Sequence, residues 1–404
     1  MLNESQSEAC ASWVMEQVRH VIETFGPRAP GTAAERDAQK YIRDEMQDFC
    51  DGEVVLEPFT LASQAFFAMP AVTALIMLLS VVCWYVHPWI SVGLDLLALA
   101  VLYFQFLRYR LFLDPLFPKS ESSNVYGRIA PSGEIRRRVI LAGHVDSARE
   151  WLFLYLLPCF FWVMVIAFFV GLTLLMLIHL GSAVAWAVGG SLWEKVSRVA
   201  VFQWILCPLP YAGIFFSNLR RAVPGANDNL SGVFTSMAIG RALKKEGLSL
   251  AHTELVLVSM GSEEAGLRGA KVFAEKHKEA FSDVQTLFIG METFRDLEHM
   301  TIYDRDMNGT VHHDEQVCCL LKEAGKVRGL DLPFGSLFFG SSDAAAFTQA
   351  GWQAGLLAAM DPAPPPYYHT RLDNWDNMSQ ECLQQAIQIA STALRLFDKQ
   401  TEEV

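Results

Sequence analysis

The stretch Pro224-Gly225-Ala226-Asn227-Asp228-Asn229-Leu230-Ser231-Gly232 decides how this chain is read. A strongly apolar segment ends just before it, near Phe216, and a helical pattern starts at about Ser231. Between them a single carboxylate, Asp228, is flanked by two asparagines, with glycines at 225 and 232. Gly and Asn tolerate backbone angles that other residues avoid, so the loop can bend sharply and aim Asp228 at one point. Standing alone, such a loop is a helix-capping turn. Read together with the other polar motifs, it is expected to let Asp228 bridge two metal ions.

Working outward, the 404 residues suit two or three average domains, or one large α/β domain with additions. The apolar fraction is 52%, mean hydropathy +0.23, and charged residues only 19%. That excess is concentrated in residues 62–116 and 151–216, while the remainder reads like an ordinary globular enzyme. A net charge of −12 argues against nucleic acid as a partner. Eight cysteines without regular spacing or a CxxC pair suit a reducing compartment. Residues 1–28 are acidic and amphipathic, so no cleaved signal peptide is expected.

Apolar positions Ala11, Val14, Met15, Val18, Val21, Ile22 and Phe25 predict a helix over 7–25, stopped by Gly26-Pro27. Thr32 caps a second helix, 33–49, with Glu35 as its capping-box partner, and 54–56 reads as a short strand. A strand over 136–143 enters His144-Val145-Asp146. After Asp228 the pattern is regular α/β: helix 231–245, strand 254–260, loop 261–266, helix 267–277 and strand 285–291 ending at Glu292. Helix 311–327, strand 355–360, a stiff loop 362–366 and helix 380–396 complete it.

Four apolar runs interrupt this alternation: Phe66 to Val86, Trp89 to Leu107, Trp151 to Ile178, and Val199 to Phe216. Each is long enough to span a bilayer, which predicts two inserted transmembrane hairpins, 63–117 and 151–221. The soluble domain is then split into 1–62, 118–150 and 222–404. Because each insertion leaves and re-enters that domain, each crosses an even number of times. Asp95, alone in the second run, is either snorkelling, a helix–helix contact or functional. Arg108, Arg110, Arg149, Arg220 and Arg221 sit on the domain side of the hairpins. The opposite loops offer only His87 and the Glu194, Lys195, Arg198 group, so an integral, multi-pass membrane protein with a cytoplasmic domain is expected.

Five candidate metal ligands fall at or just past strand ends: His144, Asp228, Glu264, Glu292 and His369. Strand carboxyl ends are where open α/β sheets build their sites. Two imidazoles and three carboxylates suit zinc, with manganese or cobalt as substitutes. A pair of ions about 3.5–4 Å apart shares one carboxylate, and Asp228 sits on the tightest loop. Glu263 and Glu264, adjacent on a turn, point apart, so one can ligate while the other acts as general base. Asp146 lies two residues past His144, placed to take the imidazole's other N–H. Tyr368 offers a phenol to a developing oxyanion, or serves structure alone.

At this point four motifs resemble the co-catalytic zinc peptidases of the M28 family: His144-Val145-Asp146-Ser147, Gly225 to Gly232, Ser262 to Gly269, and Tyr368 to Asp373. Gly26 to Thr32 looks like the segment with which those domains often open. The resemblance implies a mixed sheet flanked by helices, of zinc-peptidase/phosphorylase-like type, and aminopeptidase action on short peptides by a metal-bridging hydroxide. It assigns His144, Asp228 and Glu292 to one zinc, and Asp228, Glu264 and His369 to the other. Glu263 becomes the base and Asp146 a support. Two departures stand out: Glu292, where the family usually has Asp but its multi-pass membrane branch has Glu, and Ala344, where it often has His. The hairpins are expected to anchor the enzyme and help shape substrate access. Rival readings are a carboxypeptidase, a glutaminyl-cyclase-like enzyme, or a non-catalytic receptor or scaffold; a homo-oligomer is compatible with all of them.

Overall fold

The computed structural model describes residues 2–400. The chain divides into two units, one formed by Met1–Ser63, Lys119–Ala148 and Ala222–Val404, the other by Gln64–Pro118 and Arg149–Arg221. Elements of the first unit are α1 (Glu4–Phe25), α2 (Ala33–Gln47), β1 (Asp51–Leu61), β2 (Ser120–Ile129), β3 (Arg137–His144), α3 (Ser231–Lys245), β4 (Thr253–Met260) and α4 (Arg268–His277). Then follow β5 (Gln285–Phe294), β6 (Met300–Asp306), β7 (Val311–His312), α5 (Glu315–Val327), β8 (Phe334–Ser336), α6 (Asp343–Gln349), β9 (Gln353–Ala359) and α7 (Gln380–Lys399).

The strands form one nine-stranded mixed sheet in the order β1-β2-β4-β3-β5-β9-β6-β8, with β7 on β6. β4, β3, β5 and β9 run parallel at its centre, and antiparallel β1–β2 and β6 close the two sides. The central strands are continuous apolar runs because both faces are covered; every residue of β4 is buried. Val14, Val18, Phe234, Leu257, Ile289 and Phe397 belong to a core of fully buried side chains. Elsewhere in the unit Phe288 stacks on Phe347 with ring centroids 3.7 Å apart.

Several expectations need correction. β2 falls in chain read only as polar, because the buried residues of its first half, Ser122, Ser123 and Asn124, are themselves polar: Asn124 donates to Gly269 O at 3.0 Å and accepts from Gly261 N–H at 3.0 Å. Polar groups paired across a core carry no hydrophobic period to read. The helix expected over 311–327 starts at Glu315. Val311–His312 pair with β6 instead, and Asp314 caps the helix by accepting from Val317 N–H. Glu292 lies inside β5, which runs on to Phe294, rather than at its end. Thr32 caps α2 by accepting from Glu35 N–H, but Glu35 does not complete the expected capping box: its carboxylate accepts from Gly31 N–H at 2.6 Å, while Thr32 N–H goes to Ala29 O, and it also takes the Ser262 and Ser122 hydroxyls.

In the second unit, three helices are long and apolar enough to cross a membrane: Pro88–Leu107, Pro158–Val188 and Gly190–Phe215. Four were expected. The remaining apolar helix, Met69–Cys83, has 15 residues and rises only about 22 Å, short of a ~30 Å hydrocarbon layer. The third run also begins and ends later than its composition suggested, because its helix continues to Val188 and breaks at Gly189-Gly190, both at positive φ.

Candidate metal centre

β3, β4 and β5 lie side by side, so the segments leaving their carboxyl ends converge. β3 delivers His144, the loop after β4 delivers Glu263 and Glu264, and β5 delivers Glu292 two residues before it ends at Phe294. Asp228 comes from the loop before α3, where Gly225 adopts a left-handed φ of 65° and the Asp228–Asn229 peptide bond is cis. Gly232 allows that loop to lie on β5: a Cβ there would sit 2.0 Å from Met291 O. Non-glycine residues with left-handed φ cluster around the site, at Ser262 (54°), Thr293 (41°) and His369 (51°). Such conformations persist only where the surroundings enforce them.

The two Asp228 oxygens address different imidazoles. Oδ1 lies 3.2 Å from His144 Nε2, and Oδ2 lies 2.9 Å from His369 Nε2. Glu292 Oε1 is 3.5 Å from His144 Nε2, and Glu264 Oε1 is 3.4 Å from His369 Nε2. Donors held at zinc distances around one tetrahedral ion sit roughly 3.3–3.5 Å from each other. Three of the four separations lie near that edge length, and the fourth, Asp228 Oδ2 to His369 Nε2, is shorter at 2.9 Å. Asp228 Oδ2 and Glu264 Oε1 are buried yet receive no hydrogen bond, although His369 Nε2 is close to both. That is how ligands look when they aim at a shared third centre rather than at each other. Glu263 Oε2, 3.8 Å from His144 Nε2, stands slightly further off.

Charge points the same way. Asp146, Asp228, Glu263, Glu264 and Asp343 are all buried around two imidazoles. Burial pushes Glu263 and Glu264 far above the ordinary carboxylate range, reinforced by their acidic neighbours. Burial likewise lifts Glu292 to about 7 against the pull of His144. Burial disfavours charge on His144, but Glu292 and Glu263 outweigh it and raise its pKa. Burial also opposes ionisation of Asp228, and the two histidines overcome it and lower its pKa. Protons here do what a divalent cation would do better, so donor set, spacing and charge all fit a metal ion.

The supports were only partly foreseen. Asp146 does not mainly hold His144. Its carboxylate accepts from the backbone N–H groups of Glu263 (2.9 Å) and Glu264 (3.0 Å), while His144 Nδ1 lies 3.2 Å from the Asp146 carbonyl and 3.5 Å from its carboxylate. The reason is direction: residues i and i+2 share a face only while the strand continues, and β3 ends at His144. Asp373, quoted in a motif but given no role, accepts from Asn227 N–H, Asn227 Nδ2 and Asp228 N–H at 2.8–3.1 Å. Asn229 bridges the loop to β5, donating to Met291 O and accepting from Gly232 N–H. Arg28 is fully buried and donates to Val145 O, Gly26 O and Gly225 O. A lone Arg in a Gly/Pro segment gives no hint of that.

Tyr368 stacks on the His369 ring with centroids 4.0 Å apart. Burial and the site carboxylates raise its pKa. Its neighbour Tyr367 turns away and donates to Asp296 at 2.7 Å. Asp343, which opens α6, has both oxygens buried without a hydrogen bond, and burial lifts it to about 8. Ala344 is wholly buried, 3.5 Å from where a Cβ on Gly290 would stand, and adds nothing polar.

Comparison with known proteins agrees with this architecture. Aminopeptidase YwaD of Bacillus subtilis (strain 168) is 27% identical over 179 residues, covering 42% of this chain and 37% of that protein. The chain thus spans well under two thirds of the length of that curated relative. Among solved structures, BSAP, a zinc aminopeptidase from Bacillus subtilis, superposes with a TM-score of 0.57 at 16% identity, covering 95% of this chain and 94% of that one. The aminopeptidase from Aneurinibacillus sp. strain AM-1 gives 0.56 at 16% identity over 97% and 95%. A Bacteroides thetaiotaomicron glutaminyl cyclase bound to N-acetylhistamine gives 0.56 at 13% identity over 95% and 97%. At these identities the likeness is one of fold. Residues 213–394 match Peptidase family M28, a range that holds Asp228, Glu263, Glu264, Glu292 and His369 but not His144 or Asp146. Over that range, which is under half of the chain, the sequence is similar to Peptidase family M28.

Proposed function

We propose that this protein is a membrane-anchored di-zinc metallopeptidase of the aminopeptidase type. The observation that carries the reading is the division of Asp228 between two histidines, each with its own glutamate at the spacing of a shared tetrahedral centre. His144, Asp228 and Glu292 would hold one ion, and Asp228, Glu264 and His369 the other. Bound zinc would polarise the scissile carbonyl and acidify the attacking water. Glu263, near these donors without pairing to a histidine as closely as they do, is the group to take that water's proton and pass it to the leaving amine. Asp146 fixes it by gripping its backbone N–H. Tyr368 is placed to donate a hydrogen bond to an oxyanion.

The apolar helices are the anchor in this reading, with the catalytic unit cytoplasmic and short peptides as substrates. Detergent-purified protein should carry two zinc ions per chain and release N-terminal residues from aminoacyl reporters. Glu263→Gln should keep both ions and lose turnover by roughly 10²–10⁴-fold. One ion per chain, or undiminished turnover in Glu263→Gln, would overturn the assignment. A second reading, a glutaminyl cyclase, is favoured by the equal fold likeness to such an enzyme, because fold alone does not choose the reaction. Ammonia release from peptides with N-terminal Gln, without cleavage of aminoacyl reporters, would select it.

A further inference from the structure

One buried carboxylate of the first unit has no part in the chemistry above. Asp343 is 4% exposed, and both of its oxygens lie buried without a hydrogen bond. Asp146, Asp373 and Glu35 are buried at least as deeply, yet each accepts from backbone N–H or hydroxyl groups. The chain holds Asp343 in place all the same. The Asp306 carboxylate accepts from the Ser341 hydroxyl (3.1 Å), Ser342 N–H (3.1 Å) and the Ser342 hydroxyl (2.5 Å) just before it. His313 lies between Asp306, at 3.2 Å, and the Thr348 hydroxyl of α6, at 2.8 Å. A polar network thus fixes a segment that carries an unsatisfied acid, which native proteins retain where something else completes it.

Packing shows which way this carboxylate faces. Phe347 of α6 stacks on Phe288 of β5, and Ala344 comes 3.5 Å from where a Cβ on Gly290 would stand. Residues 288, 290 and 292 share one face of the strand, so α6 lies along that face with its start towards Glu292. Asp343, one helical turn before Phe347, is on the same side of α6. Its charge accordingly bears on Glu263, and those of His144 and Glu292 bear on it. It is not among the metal donors: the oxygens around His144 Nε2 belong to Asp228, Glu292 and Glu263, at 3.2, 3.5 and 3.8 Å. Asp343 therefore stands one layer behind them. Two divalent ions would offset Asp228, Glu263, Glu264 and Glu292, and the buried Arg28 lies close enough to Asp146 to offset that group. Asp343 is left without a counter-charge.

We propose that Asp343 is the specificity residue for a lysine-type first residue, its carboxylate taking the side-chain ammonium of the bound peptide. The inference rests on the aminopeptidase reading for where that peptide lies. The α-nitrogen of such a peptide is one carbon away from the carbonyl under attack, so it stays among the donors at the metals. A four-carbon stem carries a second ammonium past them, to the layer that holds Asp343. With no internal donor to displace, the carboxylate is free to form a charge-assisted hydrogen bond with it. A neutral side chain of equal length would leave Asp343 unpaired, which makes the discrimination steep.

The test compares aminoacyl-coumarin reporters of lysine and norleucine, which share a stem and differ by the ammonium, on the zinc-loaded full chain in detergent. Lysine should be favoured in kcat/KM by roughly 10–100-fold, mainly through KM. Asp343→Asn should abolish that preference and keep its zinc. Equal turnover of both reporters by the wild type would overturn the proposal. So would Asp343→Asn lowering both alike, the mark of an α-amine receptor or a structural role, and so would loss of zinc from that variant. Should neither reporter be cleaved, the aminopeptidase reading fails by itself, and saturation-transfer NMR with n-butylamine and 1-butanol decides for Asp343. Binding of the amine over the alcohol, lost in Asp343→Asn, upholds the ammonium site, and no preference overturns it. Asparagine strands no donor at this position; should the variant still not fold, the wild-type comparison of lysine with norleucine decides.

Discussion

Asp373→Ala separates the support of Asp228 from the chemistry at the metal. In the native protein one Asp373 oxygen accepts from Asn227 N–H (2.9 Å) and Asn227 Nδ2 (2.8 Å), and the other from Asp228 N–H (3.1 Å). Nδ2 also reaches Asn377 O, so truncation leaves mainly the two backbone N–H groups stranded in a buried loop. At about 1–3 kcal/mol for each, the loss is ~2–6 kcal/mol. Removing a buried carboxylate beside Asp228, already lifted to about 7 by its burial, returns part of that. The net effect, about 2–4 kcal/mol, leaves a protein of ordinary stability folded. What should suffer is orientation: zinc affinity, read by competition with a chromogenic chelator, should fall by roughly 10–100-fold, as for other groups that orient ligands. Asp373→Asn keeps one acceptor oxygen and should fall in between. A lowered Tm with wild-type zinc affinity would refute the reasoning, since the loop would then aim Asp228 without Asp373.

Other consequences can be checked alongside. Arg28→Met strands three carbonyl groups, at Val145, Gly26 and Gly225, and should lower stability by about 3–5 kcal/mol in denaturant titration. Gly232→Ala should destabilise by ~3 kcal/mol or more, because its methyl would overlap Met291 O; a Tm within a degree of wild type would contradict that. Burial opposes ionisation of Glu57, but His277 and Lys276 outweigh it and lower its pKa. Its contribution is therefore present above the ordinary carboxylate pKa and lost as pH falls through the lowered value. Glu57→Gln should flatten that acid limb of a stability–pH curve and leave the alkaline side alone.

The parts of the molecule that could be read in advance are those whose pattern is local. α3 matches its expected range residue for residue, since its apolar spacing and flanking Gly247 are both short-range signals. The five proposed metal ligands could be named because His144, Asp228, Glu264 and Glu292 sit beside glycines or near strand ends and His369 falls in a quoted motif, and their side chains do converge. β2 and the roles of Asp373, Arg28 and Asn229 could not be read, because their meaning lies in polar contacts across 60 to 200 residues. Asp146 shows the same limit on a small scale: the chain bends where β3 stops, and a face argument that holds on a strand fails one residue later. Length misled at Met69–Cys83, where composition continues past the helix that it builds.

One consequence concerns how the molecule is made. α1 is held by residues near the other end of the sequence: Gln388 and Gln384 on α7 both donate to the Ser7 hydroxyl, and Gln380 to that of Ser12. During synthesis α1 must therefore wait for α7 while both apolar insertions and the whole sheet emerge from the ribosome. A nascent chain stalled before α7 would leave α1 packed against α3, through contacts such as Trp13 on Phe234, with the face that meets α7 uncovered.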